Sequence, residues 1–256
     1  MNDHDLREAA SQALTLLDLT NLKDDCTEAD IRTLCHRAVT PFGNVAAICI
    51  WPRFVAYAAG ILGDTSPVAI ATVVNFPSGD MAVADVVAET ETAIADGANE
   101  IDLVLPYKAL MAGREAEAAK MVEAVRAVCP PVVKLKVILE TGELKEKALI
   151  RRASEIAIEG GADFIKTSTG KVAVNATLEA ADTMLHAIRD SGQNIGFKAA
   201  GGIGSVPDAA LYLDLASTIR GPDWAMPSTF RFGASGLLDN ILAALTGGHA
   251  PVSKGY

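Results

Sequence analysis

Short strand-like runs alternate with helical segments along the whole chain, and this alternation constrains the fold more than any other feature. Between the runs lie stretches rich in Ala, Glu and Lys, in which apolar residues recur at helical spacing. The unit repeats every ~25–35 residues, as expected for parallel strands joined by helices. Eight such units in 256 residues predict an α/β fold of the (β/α)8 TIM barrel type rather than an open doubly wound sheet. The predicted strands are 16–20, 45–51, 69–76, 100–106, 134–140, 164–169, 195–201 and 230–235.

Composition narrows the class of protein. Half of the residues are hydrophobic, which suits a large core, and no linker or low-complexity stretch divides residues 1–256 into two domains. The net charge of −10 disfavours a nucleic-acid partner or an anionic membrane surface. No apolar run approaches the ~20 residues that span a bilayer. The Gly-, Pro- and Ser-containing end, about 247–256, is expected to be mobile.

The cysteines and the start of the chain favour a cytoplasmic protein. Four cysteines are widely spaced and no CxxC pair occurs, so neither a disulfide framework nor a zinc site is expected. The four histidines show no metal-ligand spacing. The polar, acidic start MNDHDLREAA lacks the layout of a signal peptide. A reduced, cytoplasmic protein is therefore the default interpretation.

Lysines interrupt three of the apolar strands, at Lys136, Lys166 and Lys198. A lone strand lysine commonly lies near a barrel end and extends its ammonium group to water. Two lysines in one cavity favour another interpretation, because burial and a second ammonium group both lower the pKa of an amine. A free lysine has a pKa of about 10.4, so about one amine in 2,500 is neutral at pH 7, and only the neutral form attacks a carbonyl. The pattern predicts that one lysine of the pair Lys166 and Lys198 forms a Schiff base while the charge of the other keeps it unprotonated. It leaves open whether Lys136 pairs with a carboxylate, tunes the local field or is itself the nucleophile.

An internal repeat adds a carboxylate to the lysine pair. AIADGANEID at 93–102 aligns with AIEGGADFIK at 157–166, and the alignment places Asp102 at the position of Lys166. Alternate strands of a barrel contribute side chains to the same layer, so Asp102 and Lys166 are predicted to face each other, with Lys198 close by. Asp102 can then accept and return protons during carbinolamine formation and cleavage of a carbon–carbon bond.

Small residues and one further acid lie near these strands. Gly196 and Ala200 share a face with Lys198 and are expected to leave room for a ligand. TSTGK follows Lys166, AAGGIGS follows Lys198 and RFGASG lies at the last predicted strand. Gly-rich turns at such places in a barrel frequently hold a phosphate through backbone N–H groups. Asp18 lies in the apolar run LLDLT, where it is either a site residue or a helix or turn cap.

Several stretches together resemble the class I deoxyribose-phosphate aldolase family. FIKTSTG followed by GFKAAGG is the most specific part, and the match runs from about residue 10 to Tyr256. The resemblance implies a barrel enzyme of deoxynucleoside breakdown that reversibly cleaves 2-deoxy-D-ribose 5-phosphate into D-glyceraldehyde 3-phosphate and acetaldehyde. It implies no metal and no organic cofactor. The other stretches that carry it are LLDLTNL, AICIWPRF, VVNFPSG, EIDLVLP, ALMAGRE, KVILETGEL and RFGAS.

The resemblance also implies the roles of individual residues. Lys166 would form the Schiff base, Lys198 would perturb its pKa and Asp102 would relay protons. Asp18 would help to hold a substrate hydroxyl. Tyr256 would transfer a proton at the enamine carbon, unless it is only an exposed end of the chain. The candidate substrate-binding residues are Thr20, Cys49, Lys136, Thr167, Gly170, Lys171, Gly201, Gly202, Gly204, Gly233, Ser235 and Gly236.

Three of these candidates carry particular expectations. Cys49 matches a strand cysteine near the family's pocket that can react with aldehydes. Many family members carry a basic residue where this chain has Gly204 and a second serine where it has Gly236. Both positions belong to the phosphate pocket, so we expect a relaxed preference for phosphate.

The expected partners are small aldehydes and sugar phosphates, and a second copy of the chain in a homodimer is a further candidate. Two alternative functions stay open at this point. One is a sugar-phosphate isomerase that uses the lysines as electrostatic clamps. The other is a non-catalytic regulator that binds a sugar phosphate.

Overall fold

Eight parallel strands form a closed barrel in the computed structural model, which describes residues 2–248. Each strand pairs with its neighbours along the chain, and the last strand pairs with the first. All eight predicted strands are present, and the predicted (β/α)8 barrel is confirmed. The strands are β1 (Leu17–Asn21), β2 (Ala47–Ile50), β3 (Ala69–Val74), β4 (Glu100–Val104), β5 (Lys134–Ile138), β6 (Phe164–Lys166), β7 (Gly196–Ala200) and β8 (Phe230–Ala234).

Helices alternate with the strands and cover the outside of the barrel. They are α1 (Asp3–Thr15), α2 (Glu28–Arg37), α3 (Val55–Leu62), α4 (Val83–Ala95), α5 (Tyr107–Met111), α6 (Glu115–Val128), α7 (Thr141–Leu144), α8 (Lys147–Glu159), α9 (Leu178–Ser191), α10 (Val206–Arg220) and α11 (Leu237–Thr246). The first helix precedes β1 and packs against α10 and α11. A short antiparallel pair, Val39–Thr40 with Gly43–Asn44, lies between α2 and β2.

Side-chain caps fix where several helices begin. Thr27 and Asp30 form a reciprocal capping box at the start of α2. Thr177 caps α9 and Ser205 caps α10, each by accepting a hydrogen bond from the backbone N–H three residues later. The caps at Thr177 and Ser205 end the loops that follow β6 and β7. They therefore shape the rim where a barrel enzyme holds its substrate.

The strands are buried on both faces, which explains their continuous apolar runs. Outward-facing side chains such as Ile48, Ile101 and Val137 join the large core between strands and helices. The interior is divided: β2 and β3, together with Leu22 just after β1, contribute a small apolar cluster, whereas each of the other six strands contributes a buried charged side chain. That cluster consists of Leu22, Ala47, Cys49, Ala71 and Val73. Within residues 2–248, every helix is too short or too polar to cross a membrane.

Candidate active site

Three charged side chains that the sequence singles out meet inside the barrel. The Nζ atom of Lys166, on β6, lies 2.8 Å from Oδ2 of Asp102, on β4. The Nζ atom of Lys198, on β7, lies 2.8 Å from the same oxygen. Strand register explains the meeting, because Lys166 and Lys198 are partners in the β6–β7 ladder and partners point to the same face. All three residues are buried, and Lys166 is the most exposed of them at 3%.

Lys136 lies on the other side of Asp102. Its ammonium group is 2.8 Å from Oδ1 of Asp102, 2.5 Å from Oε2 of Glu100 and 3.6 Å from Oδ2 of Asp18. The β4–β5 ladder pairs Lys136 with Asp102, so both side chains enter the interior. An ammonium group held by three carboxylates keeps its proton, and this arrangement is unsuited to nucleophilic attack.

Arg231, on β8, completes the network toward the N-terminal ends of the strands. Its two terminal nitrogens donate to the two oxygens of Glu100 at 3.1 and 2.9 Å. One of them also donates to Oδ1 of Asp18 at 2.6 Å. The other oxygen of Asp18 lies 2.5 Å from Nζ of Lys198. Arg231 is therefore joined to the lysine pair through Asp18 and to Lys136 through Glu100.

The three lysines differ in how strongly they hold their protons. Burial lowers the pKa of Lys166, and the charge of Lys198 lowers it further against the opposing effect of Asp102. Burial also acts against the charged forms of Lys136 and Lys198, yet the surrounding carboxylates raise the pKa of both. Contacts among residues 2–248 explain the difference: Lys166 touches one carboxylate, Lys198 touches two and Lys136 touches three.

The carboxylates of the network stay ionised. Burial by itself would raise the pKa of Asp18, Glu100 and Asp102, but each pKa lies below its ordinary value. Neighbouring lysines lower the pKa of all three, and Arg231 adds to the effect at Asp18 and Glu100. The network contains four basic and three acidic side chains. With Lys166 neutral, three positive charges face three negative charges, and a low-dielectric interior favours such a balance.

Comparison with known proteins identifies the family. The model of the DeoC/LacD family aldolases matches residues 12–235. The chain belongs to the DeoC/LacD family of aldolases. Membership of this aldolase family does not favour the isomerase or the non-catalytic regulator.

Relatives of this DeoC/LacD aldolase match nearly its whole length. The deoxyribose-phosphate aldolase of Agrobacterium fabrum (strain C58 / ATCC 33970) is 69% identical over 251 residues, which cover 98% of this chain and 97% of the relative. A crystal structure from Toxoplasma gondii ME49, assigned as a deoxyribose-phosphate aldolase, has a TM-score of 0.89 at 25% identity and covers 96% of this chain and 97% of its own. The tetrameric deoxyribose phosphate aldolase from Aeropyrum pernix shares the fold, with a TM-score of 0.74 at 22% identity over 95% of this chain and 98% of its own.

Two predicted binding residues of the DeoC/LacD aldolase hold the backbone. The hydroxyl of Thr20 donates to the backbone oxygen of Asp18 at 2.8 Å. The hydroxyl of Thr167 accepts a hydrogen bond from the N–H of Ala200 at 3.0 Å and donates one to the carbonyl oxygen of Ala200 at 3.3 Å. Both threonines therefore fix the strand ends that carry the charged network.

The thiol of Cys49 borders the network from the apolar side of the interior. Its Sγ atom lies 4.0 Å from Oδ2 of Asp102. Burial raises the pKa of Cys49, and Asp102 raises it further. The thiol is therefore held in its protonated, weakly nucleophilic form.

Two glycines make room for other side chains. The expectation that Gly196 leaves space for a ligand is wrong, because a Cβ atom there would lie 2.3 Å from the ring of Phe164. The buried ring of Phe164 therefore occupies the space beside Gly196. At Gly233 a Cβ atom would lie 3.0 Å from Cε of Lys198, so the absence of a side chain lets Lys198 pass.

The other predicted binding residues lie in the turns at the C-terminal ends of β6, β7 and β8. Gly170, Gly201 and Gly202 have φ values of 83°, 80° and 81°, a conformation that favours glycine. Gly236 directly precedes α11, which has no side-chain cap. The ammonium group of Lys171 is engaged by Asp24 at 3.0 Å. Gly204 and Ser235 lie in the same turns.

Sequence reasoning missed three buried charged residues. Glu100 and Arg231 interrupt apolar strands, which is the same signal that marks Lys166. Glu140 has a left-handed φ of 59° just after β5. Its carboxylate accepts hydrogen bonds from the N–H of Thr169 at 3.2 Å and from its hydroxyl at 2.5 Å. Glu140 thereby fixes the loop that follows Lys166, and burial raises the pKa of Glu140.

Tyr256 lies outside the described residues, as does nearly all of the end predicted to be mobile. Across residues 2–248, no three His, Cys, Asp or Glu side chains are grouped in a way that could hold a metal ion.

Proposed function

We propose that this chain reversibly cleaves 2-deoxy-D-ribose 5-phosphate into D-glyceraldehyde 3-phosphate and acetaldehyde, through a Schiff base on Lys166. The single carboxylate contact of Lys166 carries the proposal, because Lys136 and Lys198 make more such contacts and hold their protons. The activity named for the 69% identical relative agrees with it.

The neutral amine of Lys166 begins the reaction. Its lone pair adds to the aldehyde carbon of the open-chain sugar, and the resulting carbinolamine loses water to form an imine. Asp102, 2.8 Å from the amine, is placed to take the proton from the attacking nitrogen and to return one to the leaving hydroxyl. The protonated imine then accepts the electrons of the C2–C3 bond, which breaks as the 3-hydroxyl gives its proton to Asp102 and D-glyceraldehyde 3-phosphate leaves. Protonation of the enamine carbon and hydrolysis release acetaldehyde and restore the amine.

Lys198 and Asp18 support this chemistry as a pair. The charge of Lys198 keeps Lys166 neutral, and Asp18 holds Lys198 through Oδ2 at 2.5 Å. A substrate hydroxyl bound by Asp18 would share that oxygen with Lys198, since Arg231 engages Oδ1. Tyr256 would protonate the enamine carbon, a role that rests on the resemblance alone.

The phosphate would bind at the C-terminal rim. The backbone N–H groups around Gly201 and Gly202 and those at the uncapped start of α11 are suited to an anion. The hydroxyl of Ser235 adds a donor, whereas Gly204 and Gly236 add no side chain. Lys171 is engaged by Asp24, so it would reach a phosphate only by leaving that partner.

Borohydride trapping tests the proposal. The chain is incubated with acetaldehyde, reduced with borohydride and digested, and the N-ethyl group is located by mass spectrometry. Modification of Lys166 is expected, with Lys136 and Lys198 unmodified. A matched sample of Lys166→Arg should carry no adduct in the barrel. An adduct at Lys136 or Lys198, or none in the parent chain, would overturn the assignment.

Assembly and location remain predictions. The Aeropyrum pernix protein is described as a tetramer, and a homodimer of this chain is proposed on the resemblance alone. Size-exclusion chromatography with light scattering measures the assembly directly. A cytoplasmic location likewise stays a prediction.

A further inference from the structure

We propose that Arg231 is a positioning residue for the reaction: its guanidinium group supplies the charge that holds Asp18 and Glu100 against Lys198 and Lys136, and thereby leaves Lys166 as the amine without a proton. The inference rests on the proposed Schiff-base function, but its test measures protonation and not turnover.

The geometry makes Arg231 the junction of two chains of contacts. One chain runs from Arg231 through Asp18 to Lys198, at 2.6 and 2.5 Å. The other runs from Arg231 through Glu100 to Lys136, at 2.9 and 2.5 Å. Both chains end on Asp102, the one carboxylate that Lys166 contacts within residues 2–248.

Arg231 is built into the floor of the barrel. Its Nε atom donates to the backbone oxygen of Pro227 at 2.6 Å, and its guanidinium carbon lies 5.6 Å from the centre of the Phe164 ring. A cavity of about 610 Å³ opens at this end of the barrel and is lined in part by Arg231, Glu100 and Lys134. Arg231 itself is only 3% exposed, so its charge acts on the interior with little screening.

Charge balance fixes the direction of the effect. With Arg231 present and Lys166 neutral, the network has three positive and three negative charges. Removing the charge of Arg231 leaves three carboxylates facing two ammonium groups, and the remaining basic group able to restore balance is Lys166. Removing Glu100 together with Arg231 restores balance without a proton on Lys166.

Charged or titratable groups face Lys166 from several strands of the barrel. Asp102 faces it from β4, Lys198 from β7, Cys49 from β2 and Glu140 from the end of β5. Arg231 is faced by Asp18 and Glu100, with Lys134 nearby at the mouth. Of these groups, the test variants below change Arg231 and Glu100, and the control variant changes Lys134.

The experiment follows the titration of Lys166 in the ligand-free chain by NMR of 13C-labelled lysine side chains. The Lys166 signal is identified by its loss in Lys166→Met. A unit charge removed at roughly 10 Å, in a medium of effective dielectric constant about 20, changes the pKa of an amine by about one unit. Arg231→Met should therefore move the Lys166 titration upward by about one pH unit, and Glu100→Gln should move it downward. The double variant should return it close to the parent value.

Lys134→Met is the matched control, because it removes a positive charge at the same mouth without touching the network. It should leave the Lys166 titration within a few tenths of a pH unit of the parent. A folded Arg231→Met in which Lys166 titrates as in the parent would overturn the proposal, as would a double variant no different from that single variant.

The series of variants also distinguishes a folding failure of Arg231→Met and a failure of the Schiff-base function from a failure of this proposal. If Arg231→Met does not fold, the double variant is compared with Glu100→Gln, and the proposal requires Lys166 to titrate at higher pH in the double variant. If the series behaves as expected but the parent gives no Lys166 adduct with acetaldehyde and borohydride, the Schiff-base function fails while the role of Arg231 in setting protonation stands.

Discussion

Lys166 and Lys198 are register partners on neighbouring strands, and their Nζ atoms both lie 2.8 Å from the same oxygen of Asp102. One carboxylate oxygen does not neutralise two ammonium groups. Lys198 has a second partner, Asp18, at 2.5 Å, whereas Lys166 makes no second carboxylate contact within residues 2–248. This difference favours a proton on Lys198 over one on Lys166, and it underlies the proposal that Lys166 is the nucleophile.

Lys166→Arg should abolish turnover while preserving the fold. The guanidinium group keeps a positive charge next to Asp102, but it does not form an imine with an aldehyde. We expect kcat/KM for 2-deoxyribose 5-phosphate to fall by at least about 1,000-fold, since loss of a nucleophile removes the covalent pathway. Lys134→Arg, at a strand lysine outside the network, is the control and should stay within about twofold. Substantial residual activity in Lys166→Arg would move the nucleophile to Lys136 or Lys198.

Lys166→Met should be more stable than the parent chain near neutral pH. Because the pKa of Lys166 is lowered by burial and by Lys198, the unfolded chain binds a proton over a pH range in which the folded chain does not. Stability of the parent therefore falls as pH drops from about 10.4, the ordinary lysine value, toward the lowered pKa. Each tenfold change in the proton-binding constant corresponds to about 1.4 kcal/mol.

Urea unfolding of parent and variant from pH 7 to 10.5 measures this difference. The gain in Lys166→Met should be largest near pH 7 and should shrink as the pH approaches 10.5. Lys134→Met, which replaces a strand lysine outside the network, is the matched control, and its difference from the parent at each pH is subtracted. A difference that stays constant with pH would contradict a lowered pKa and point to packing alone.

Lys198→Leu should move the acidic limb of the kcat/KM profile to higher pH. That limb reports the pKa of the group that must be neutral in the free enzyme. Removing the charge of Lys198 raises the pKa of Lys166, so less neutral amine is present at pH 7 and activity falls. Lys198→Arg keeps the charge and should leave the limb in place. If activity falls in Lys198→Leu with an unmoved limb, Lys198 acts in proton transfer instead.

Sequence patterns located the centre of the site but not its surroundings. The repeat that aligns Asp102 with Lys166 identifies two groups of one layer, because barrel strands enter at regular depth. Glu100 and Arg231 were missed because a charged residue in a strand shows no partner until register is known. Gly196 was misread since the ring that fills its space belongs to Phe164, on a neighbouring strand.

Glu140 shows a second limit of sequence reasoning. Its left-handed backbone and its contact with Thr169 depend on how two loops meet, which no local pattern encodes. The Lys171–Asp24 pair is of the same kind, because its partners are far apart in the chain. The strands and the meeting of Lys166 with Asp102 were predictable from periodicity and the internal repeat, whereas contacts between loops were not.

Glu140→Gln should loosen the loop that follows Lys166. The amide keeps the shape of the side chain but loses the charge that strengthens two hydrogen bonds to Thr169. A hydrogen bond to a charged group contributes about 1.5–3 kcal/mol and a neutral one about 0.5–1.5 kcal/mol. The loss of about 1–1.5 kcal/mol should lower the protection of the Thr169 amide against hydrogen exchange by about 5- to 12-fold. Glu146→Gln, at an exposed glutamate nearby, is the control. Unchanged protection in Glu140→Gln would mean that packing alone orders the loop.

Phosphate preference should strengthen when the two missing side chains are supplied. Gly204 and Gly236 are not among the glycines with positive φ, so both positions accept a side chain without backbone strain. Gly204→Arg with Gly236→Ser adds a guanidinium group and a hydroxyl to the rim, where Lys171 is held by Asp24. One charge-assisted hydrogen bond contributes about 1.5–3 kcal/mol, which corresponds to about a 10- to 150-fold difference in affinity. Unphosphorylated 2-deoxyribose gains nothing from either change.

The measurement is kcat/KM for 2-deoxyribose 5-phosphate and for 2-deoxyribose in the parent and the double variant. The ratio of the two should rise at least tenfold in the double variant, and Gly204→Leu with Gly236→Ala is the uncharged control. An unchanged ratio with the fold intact would mean that the backbone N–H groups and Ser235 already saturate recognition of the phosphate.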